Sequence, residues 1–123
     1  MSQLLEGLKA IHNAGFVHAD LKPTNLVFGF GDSEEAMKSV HIVDFGLTKK
    51  YTDYKGRHVE QQTNQGTRGT MSYMSIHTQQ GITMSRRDDM ESIAYVMIML
   101  AKGSLPWNRL KSVDKPGMYR ETL

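Results

Sequence analysis

Cysteine is absent from the 123-residue sequence, which excludes disulfides and thiolate metal sites and is typical of a reducing compartment. Long apolar runs are absent too, because the longest covers only residues 93–101, against the roughly 20 residues that span a bilayer. No basic or long apolar stretch follows Met1, so the sequence predicts no signal peptide. Neither sign of charge dominates, with 15 Lys+Arg against 13 Asp+Glu. We therefore expect one small intracellular domain without nucleic-acid or membrane partners.

The first half of the chain predicts one helix and three short extended segments. Apolar residues at helical spacing, followed by a glycine stop, predict a helix over residues 2–14; they include Leu4, Leu5, Leu8, Ile11 and, on the same face, His12. Extended segments are expected at residues 16–17, 26–28 and 40–43, and the last two read as a hairpin-like pair. Residues 29–39, polar and glycine-bearing, predict a surface connection.

The second half predicts a long loop and a buried helix. Residues 48–83 show no sustained period, which indicates a functional loop or an unrecognised element. Ser85 is a good N-cap, with Asp88 and Asp89 in the first turn, and Gly103 predicts the end of the helix. The residues between are apolar nearly all round, which predicts a buried helix whose main face carries Met90, Ile93, Ala94, Met97 and Ala101.

The chemistry concentrates in residues 18–25, written HADLKPTN, and in the DFG tripeptide of residues 44–46. Phosphoryl transfer needs a carboxylate near the substrate hydroxyl, a cation for the phosphate, and oxygen ligands for magnesium. Asp20 and Lys22 supply the first two. Asn25 and Asp44 offer the oxygen ligands, and they stand at the ends of two short strands that can bring them to one metal. We call residues 18–25 the HADLKPTN loop.

These motifs resemble a known family. His18-x-Asp20-x-Lys22-x-x-Asn25 followed by DFG resembles the catalytic and magnesium loops of eukaryotic protein kinases, and Lys22 indicates the Ser/Thr type. Further segments are similar to the casein kinase 1 family: DFGLTKKY at 44–51, SIH at 75–77, SRRDDMES at 85–92 and SLPW at 104–107. The vaccinia-related kinases share the SRR and LPW segments but match the lysine pair and the DFG less well.

The resemblance implies an α+β fold, mainly the helical lobe of a kinase with a short β hairpin at the cleft. It implies ATP and Mg²⁺ as cofactors and protein substrates. The implied roles are a hydroxyl-orienting base for Asp20, γ-phosphate contact for Lys22, and metal binding for Asn25 and Asp44. Thr70 is implied to hydrogen-bond near Asp20 and Lys22 and to help shape the substrate site. Structural support is implied for two residues, His18 as a hydrogen-bonding residue and Asp89 as a brace for the HADLKPTN loop backbone.

Several features depart from the family. Ala19 replaces the arginine of most kinases, which argues against switching by loop phosphorylation. Ser72 replaces an anion-binding arginine, so a preference for pre-phosphorylated substrates does not carry over directly. No glycine-rich loop, strand lysine or helix glutamate of the kinase N-terminal lobe is present. We therefore expect residues 1–123 to be a partial kinase domain, truncated at both ends, that exposes apolar surface.

Some alternatives stay open. The cations Lys49, Lys50, Lys55 and Arg57 either attract acidic substrates or form a solvated face. Arg86 and Arg87 either bind an anion or pair with nearby acids. His12, His41, His58 and His77 lack metal-like spacing, which predicts packed or solvated histidines. A non-catalytic, kinase-like docking module is the alternative to an enzyme, and magnesium-dependent ATP binding separates the two.

Overall fold

The computed structural model describes residues 2–29 and 31–109. Four α-helices lie within these ranges: α1 (Ser2–Asn13), α2 (Glu34–Lys38), α3 (Ile76–Gln79) and α4 (Arg86–Lys102). The same ranges hold four short strands: β1 (Phe16–Val17), β2 (Leu26–Phe28), β3 (Val40–Ile42) and β4 (Lys49–Lys50). Single turns of 3-10 helix occur at Pro23–Asn25, Met71–Tyr73 and Pro106–Arg109. No helix in the described part of the chain is long and apolar enough to cross a membrane.

Helix α1 forms where its apolar spacing predicts it. Leu4, Leu8 and His12 are buried, and they lie one turn apart along a single stripe. The helix is followed by Gly15, whose φ of +93° is positive, a conformation that glycine adopts more readily than other residues do. The predicted helix over residues 2–14 is therefore confirmed.

The strands form two separate antiparallel pairs. Strands β2 and β3 pair with Leu26 opposite Ile42, which confirms the predicted hairpin-like pair. A further backbone bond, from Val43 N to Asn25 O at 2.9 Å, continues this ladder toward residue 44. Strands β1 and β4 pair with Val17 opposite Lys49. The two pairings bring both ends of the HADLKPTN loop beside the segments that flank the DFG tripeptide.

Two clusters of buried apolar side chains lie on either side of the HADLKPTN loop. Leu4 and Leu8 of α1 pack with Leu21 and with Ile93 of α4, and the neighbouring side chains Leu26, Ile42 and Met97 cover them. Each such leucine contributes about 1.5–3 kcal/mol relative to an exposed one. The second cluster comprises Val17, Ala19, Tyr51 and Met84. The loop is thus anchored by Leu21 on one side and by Ala19 on the other.

Helix α4 begins as predicted but is not buried all round. Ser85 and Asp88 form a capping box, and Gly103 ends the helix in the left-handed conformation. The buried residues are Asp88, Asp89, Ser92, Ile93 and Val96, whereas Met90, Ala94, Ile98, Leu100 and Ala101 are exposed. The prediction of a helix buried all round is therefore wrong, because elements of the described chain pack against one side of α4 only. The predicted main face is right for Ile93 and Met97, which join the core, and wrong for its other three residues. The expected exposed apolar surface is present, with Leu100 61% exposed.

Two segments predicted as irregular contain short elements. Within residues 29–39 the five-residue helix α2 forms because Ser33 accepts a hydrogen bond from Ala36 N at 3.1 Å and Glu34 pairs with Lys38 at 2.6 Å. Its residues are mostly exposed, as expected for a surface connection. Within residues 48–83 the structure places β4, one 3-10 turn and α3. These elements are too short to produce a sustained periodic pattern.

Candidate active site

The HADLKPTN loop runs from β1 to β2 and carries two oppositely charged side chains. Asp20 Oδ2 lies 3.5 Å from Lys22 Nζ, and the side chains are 10% and 28% exposed. Pro23 opens the 3-10 turn that follows and leads into β2. The pair is thus partly shielded from water yet open to a ligand.

Thr70 joins this pair from 50 positions further along the chain. Its N and its Oγ1 donate to Asp20 Oδ1 at 3.1 and 3.0 Å, while Lys22 Nζ donates to Thr70 Oγ1 at 3.0 Å. Gly69 makes this approach possible, since its φ is +96° and a Cβ there would lie 2.7 Å from Ala19 O. The carboxylate, ammonium and hydroxyl groups therefore form one hydrogen-bonded triad.

Asn25 and Asp44 lie at the open end of the β2–β3 hairpin. Asn25 is buried, and its Nδ2 donates to Asp20 O at 2.8 Å, which leaves the amide oxygen as an acceptor. Asp44, at φ +60°, accepts from Gly46 N at 3.2 Å through Oδ1 and keeps its second oxygen. An amide oxygen and a carboxylate oxygen are ligands that magnesium prefers, so the donor set fits that ion.

His18 links the HADLKPTN loop to the DFG tripeptide. The ring is fully buried; its Nδ1 accepts from Asp20 N at 3.2 Å and its Nε2 donates to Val43 O at 3.0 Å. The Phe45 ring lies 5.3 Å away, centroid to centroid. Both ring nitrogens therefore bond to backbone groups, and the ring joins the loop to the segment before the DFG tripeptide.

Asp89 of α4 accepts hydrogen bonds from the backbone of the HADLKPTN loop. The carboxylate, 1% exposed, accepts from His18 N at 2.8 Å and from Ala19 N at 3.0 Å. His12 Nε2 lies 2.8 Å from the same carboxylate, so α1, α4 and the loop meet at one buried group. Ala19 has a φ of +72°, a conformation that costs a non-glycine residue about 1–2 kcal/mol. The bonds to Asp89 offset that strain beside Asp20.

Tyr51 connects the second core cluster to the same network. Its hydroxyl donates to the carbonyl of His12, and its backbone N donates to Gly15 O at 3.0 Å.

The two arginines at the start of α4 contact groups of this chain. The Arg86 guanidinium stacks on the Tyr51 ring, 4.9 Å from the centroid. Arg87 Nε lies 3.8 Å from Asp88 Oδ2. Both arginines therefore contact groups of this chain, and the pairing predicted as one of two alternatives is present for Arg87.

The basic segment after the DFG tripeptide is only partly free to attract anions. The Arg57 guanidinium lies 3.1 Å from Asp53 Oδ2. The backbone N–H of Arg57, helped by that of Lys55 and by the guanidinium and partly opposed by burial, holds the pKa of Asp53 below its ordinary value of 3.8. Lys50 lies over the Phe16 ring, 5.8 Å from its centroid.

Sequence reasoning missed the partner of His12. The spacing of Leu4, Leu8 and His12 already placed this histidine on the buried stripe of α1. Because buried polar groups are almost always hydrogen-bonded, a partner on another element was to be expected. Nothing in the sequence identified that partner as Asp89, which lies 77 positions away.

Comparison with known families gives a match over almost the entire chain. A family model described as protein kinase domain matches residues 1–121. The match covers nearly the whole chain, including the HADLKPTN loop, the DFG tripeptide, Thr70 and Asp89. It is compatible with the mixture of helices and small antiparallel sheets described above.

Proposed function

Since the chain belongs to the protein kinase family, we propose that it carries the catalytic residues of a Ser/Thr kinase of casein kinase 1 type. Protein kinases use ATP and Mg²⁺ and transfer a phosphoryl group to a hydroxyl. The observation that carries the proposal is the triad of Asp20, Lys22 and Thr70, whose polar atoms lie 3.0–3.5 Å apart.

In this proposal each member of the triad has one task. Asp20 Oδ2, the oxygen that Thr70 leaves free, orients the substrate hydroxyl and accepts its proton, a contribution of about 10²–10⁴ in rate. Lys22 neutralises negative charge on the group being transferred. Thr70 fixes the distance between the two and forms the wall against which the substrate segment lies.

Asn25 and Asp44 would hold magnesium, which neutralises phosphate charge when bound. The support is the donor set: an amide oxygen left free by the bond from Asn25 to Asp20, and a carboxylate oxygen left free by Gly46. His18 keeps the two segments together through Asp20 N and Val43 O. Hydrogen bonds within the chain thus restrain the side chains of both proposed ligands.

The casein kinase 1 assignment and the Ser/Thr preference rest on the sequence resemblance. Lys22 and the segments at 44–51, 75–77, 85–92 and 104–107 support them. We propose protein substrates. Their acidic segments would be attracted by Lys49, Lys50 and Lys55, whose side chains, unlike that of Arg57, are not paired with Asp53. We also propose an intracellular location, with neither nucleic-acid nor membrane partners, on the basis of composition.

We further propose that residues 1–123 act within a longer kinase domain. An apolar groove of about 250 Å³ supports this, lined by residues that include Leu4, Leu26, Val27, Phe28, Met97 and Leu100. Val27, Phe28 and Leu100 are all exposed beside one another in this groove, and a contiguous exposed apolar patch marks a site of interaction with another segment or partner. The same groove supports the alternative, a non-catalytic module that docks another protein through it.

The test is Asp20→Asn in the intact protein, assayed by transfer of labelled phosphate from ATP to casein. We expect transfer to fall by about 10²–10⁴-fold, because an amide cannot accept the proton. The melting temperature should change little, since Asn keeps the oxygen that Thr70 contacts. Asp32→Asn, which changes an exposed carboxylate, is the control. Near-normal transfer by Asp20→Asn would overturn the role given to Asp20.

A binding assay separates the enzyme from the docking module. The enzyme binds labelled ATP in a magnesium-dependent manner, and Asp44→Asn weakens that binding because it removes a charged ligand. A docking module has no need of the nucleotide. Absence of magnesium-dependent ATP binding in the intact protein would favour the docking module.

A further inference from the structure

Away from the candidate active site, three potential metal ligands meet between α3 and α4. One ligand atom of each of His77, Asp88 and Glu91 lies within 4.8 Å of the other two. His77 belongs to α3, while Asp88 and Glu91 are three residues apart and share one face of α4. We propose that these three residues bind one Zn²⁺ ion.

Both carboxylates are already oriented by neighbouring groups. Asp88 is fully buried and accepts from Ser75 Oγ at 2.6 Å and from Ser85 N at 2.7 Å, through different oxygens. Glu91 Oε1 accepts from Ile76 N at 3.0 Å and from the Tyr95 hydroxyl. A carboxylate has about four lone-pair sites, so each retains capacity for a metal. Hydrogen bonds that orient ligating carboxylates are a regular feature of metal sites.

The charge around the cluster leaves room for a cation. In the described chain, the ion pair of these two carboxylates is with Arg87, whose Nε lies 3.8 Å from Asp88 Oδ2 and whose side chain is 44% exposed. The His77 ring makes no hydrogen bond within the described residues, although it faces both acids. A divalent ion would compensate the second carboxylate and use the free ring nitrogen.

The mixed donor set fits zinc and distinguishes it from magnesium. One imidazole nitrogen and two carboxylate oxygens suit zinc, whereas magnesium prefers oxygen ligands alone. Ligands of a tetrahedral zinc ion lie about 3.3 Å apart, so the side chains need to close by up to about 1.5 Å. His77 is half-buried and can rotate toward the two carboxylates, while Asp88 and Glu91 are held by their hydrogen bonds. Water would complete the coordination.

Such an ion would join α3 to α4. Helix α3 follows the segment of Thr70 and the 3-10 turn Met71–Tyr73, so the ion would stabilise the end of the proposed substrate wall against the helix that carries Asp89. Zinc binding at this cluster is independent of phosphotransfer and is measured without any substrate.

The test is calorimetric titration of the chelator-treated chain with ZnCl₂, with melting temperature as a second readout. We expect one zinc ion per chain and a higher melting temperature in its presence. His77→Gln and Glu91→Gln should each weaken zinc binding by at least about 10-fold. Neither should unfold the chain, since the amide introduced by Glu91→Gln keeps an oxygen for Ile76 N and the His77 ring has no hydrogen bond to lose within the described residues.

His41→Gln is the matched control, since this exposed histidine lies on β3 away from the cluster. It should bind zinc as the unmodified chain does. Magnesium chloride at the same concentration should change the melting temperature of His77→Gln and of the unmodified chain equally, because the proposed magnesium ligands Asn25 and Asp44 lie outside this cluster. Zinc affinity unchanged by His77→Gln and Glu91→Gln, or lost in His41→Gln, would overturn the proposal.

Discussion

Substitution of Asp89 would test how the candidate active site is held together. The carboxylate accepts from three donors, His18 N, Ala19 N and His12 Nε2, at 2.8–3.0 Å, and it is almost completely buried. Asp89→Asn preserves the shape but exchanges one acceptor oxygen for an NH₂ group. Asp89→Ala removes the acceptor altogether. The two changes therefore separate the loss of charge from the loss of every hydrogen bond.

The expected magnitudes follow from these contacts. In Asp89→Asn at least one buried N–H faces another donor, and an unsatisfied buried donor costs about 1–3 kcal/mol. Loss of the charge weakens the remaining bonds, so we expect a total of about 2–3 kcal/mol. Asp89→Ala leaves three donors unpaired, and breaking a buried pair costs about 3–5 kcal/mol. Since small proteins have about 5–15 kcal/mol of stability in all, both losses are large.

Urea unfolding of the purified protein measures these losses, and amide hydrogen exchange locates them. Exchange at His18 and Ala19 should accelerate more than exchange in α1, because these two amides lose their acceptor directly. Asp32→Asn, at an exposed position, should change the free energy of unfolding by less than about 0.5 kcal/mol. A loss below about 1 kcal/mol in Asp89→Ala would refute the view that this carboxylate holds the loop.

Two further predictions concern the segment after the DFG tripeptide. Gly69→Ala should destabilise the protein by about 1–2 kcal/mol more than Gly56→Ala; both have positive φ, but only at Gly69 does a Cβ meet backbone, 2.7 Å from Ala19 O. Thermal unfolding of the two variants measures this, and equal losses would contradict it. The pKa of Asp53 is lowered in the folded protein, so its hydrogen bonds stabilise the loop at pH values above 3.8, the ordinary pKa of the group. That stabilisation is lost as the pH falls through the lower pKa of the folded state. The Arg57 amide resonance should titrate with a midpoint below 3.8 in NMR, and a midpoint at or above it would contradict the assignment. Asp53→Asn should remove that titration.

The buried group Asp89 also explains why the candidate site sits on α4 although that helix contributes no residue to the triad. Asp20 is flanked by Ala19 in a left-handed conformation, which a free loop would not maintain. Two hydrogen bonds from the loop backbone to a carboxylate on a long helix keep it there. The geometry of Asp20 therefore depends on Asp89, which bonds to the two residues that precede Asp20.

Much of the local structure was predictable from the sequence. The spacing of Leu4 and Leu8 predicts α1, and Ser85 with Gly103 predicts the ends of α4, because helix periodicity and capping act over only a few residues. The chemically active residue types of the HADLKPTN loop and of Asp44 were likewise evident. Their roles in catalysis stay predictions that the experiments above address.

Contacts between distant residues were decided by the tertiary structure alone. Which face of α4 is buried could not be predicted, since its apolar residues surround the helix and only the packing of Leu21 and α1 selects Ile93. His12 Nε2 lies 2.8 Å from Asp89 Oδ2, and a ring nitrogen of His77 lies within 4.8 Å of Asp88 and Glu91. These residues are too far apart in the sequence for any spacing rule to predict the contacts. The sequence alone determined the residue types and the local conformation, because helix periodicity and capping are short-range effects. The pairing of charged groups depended on the tertiary structure, because only packing of the core brings separate elements together.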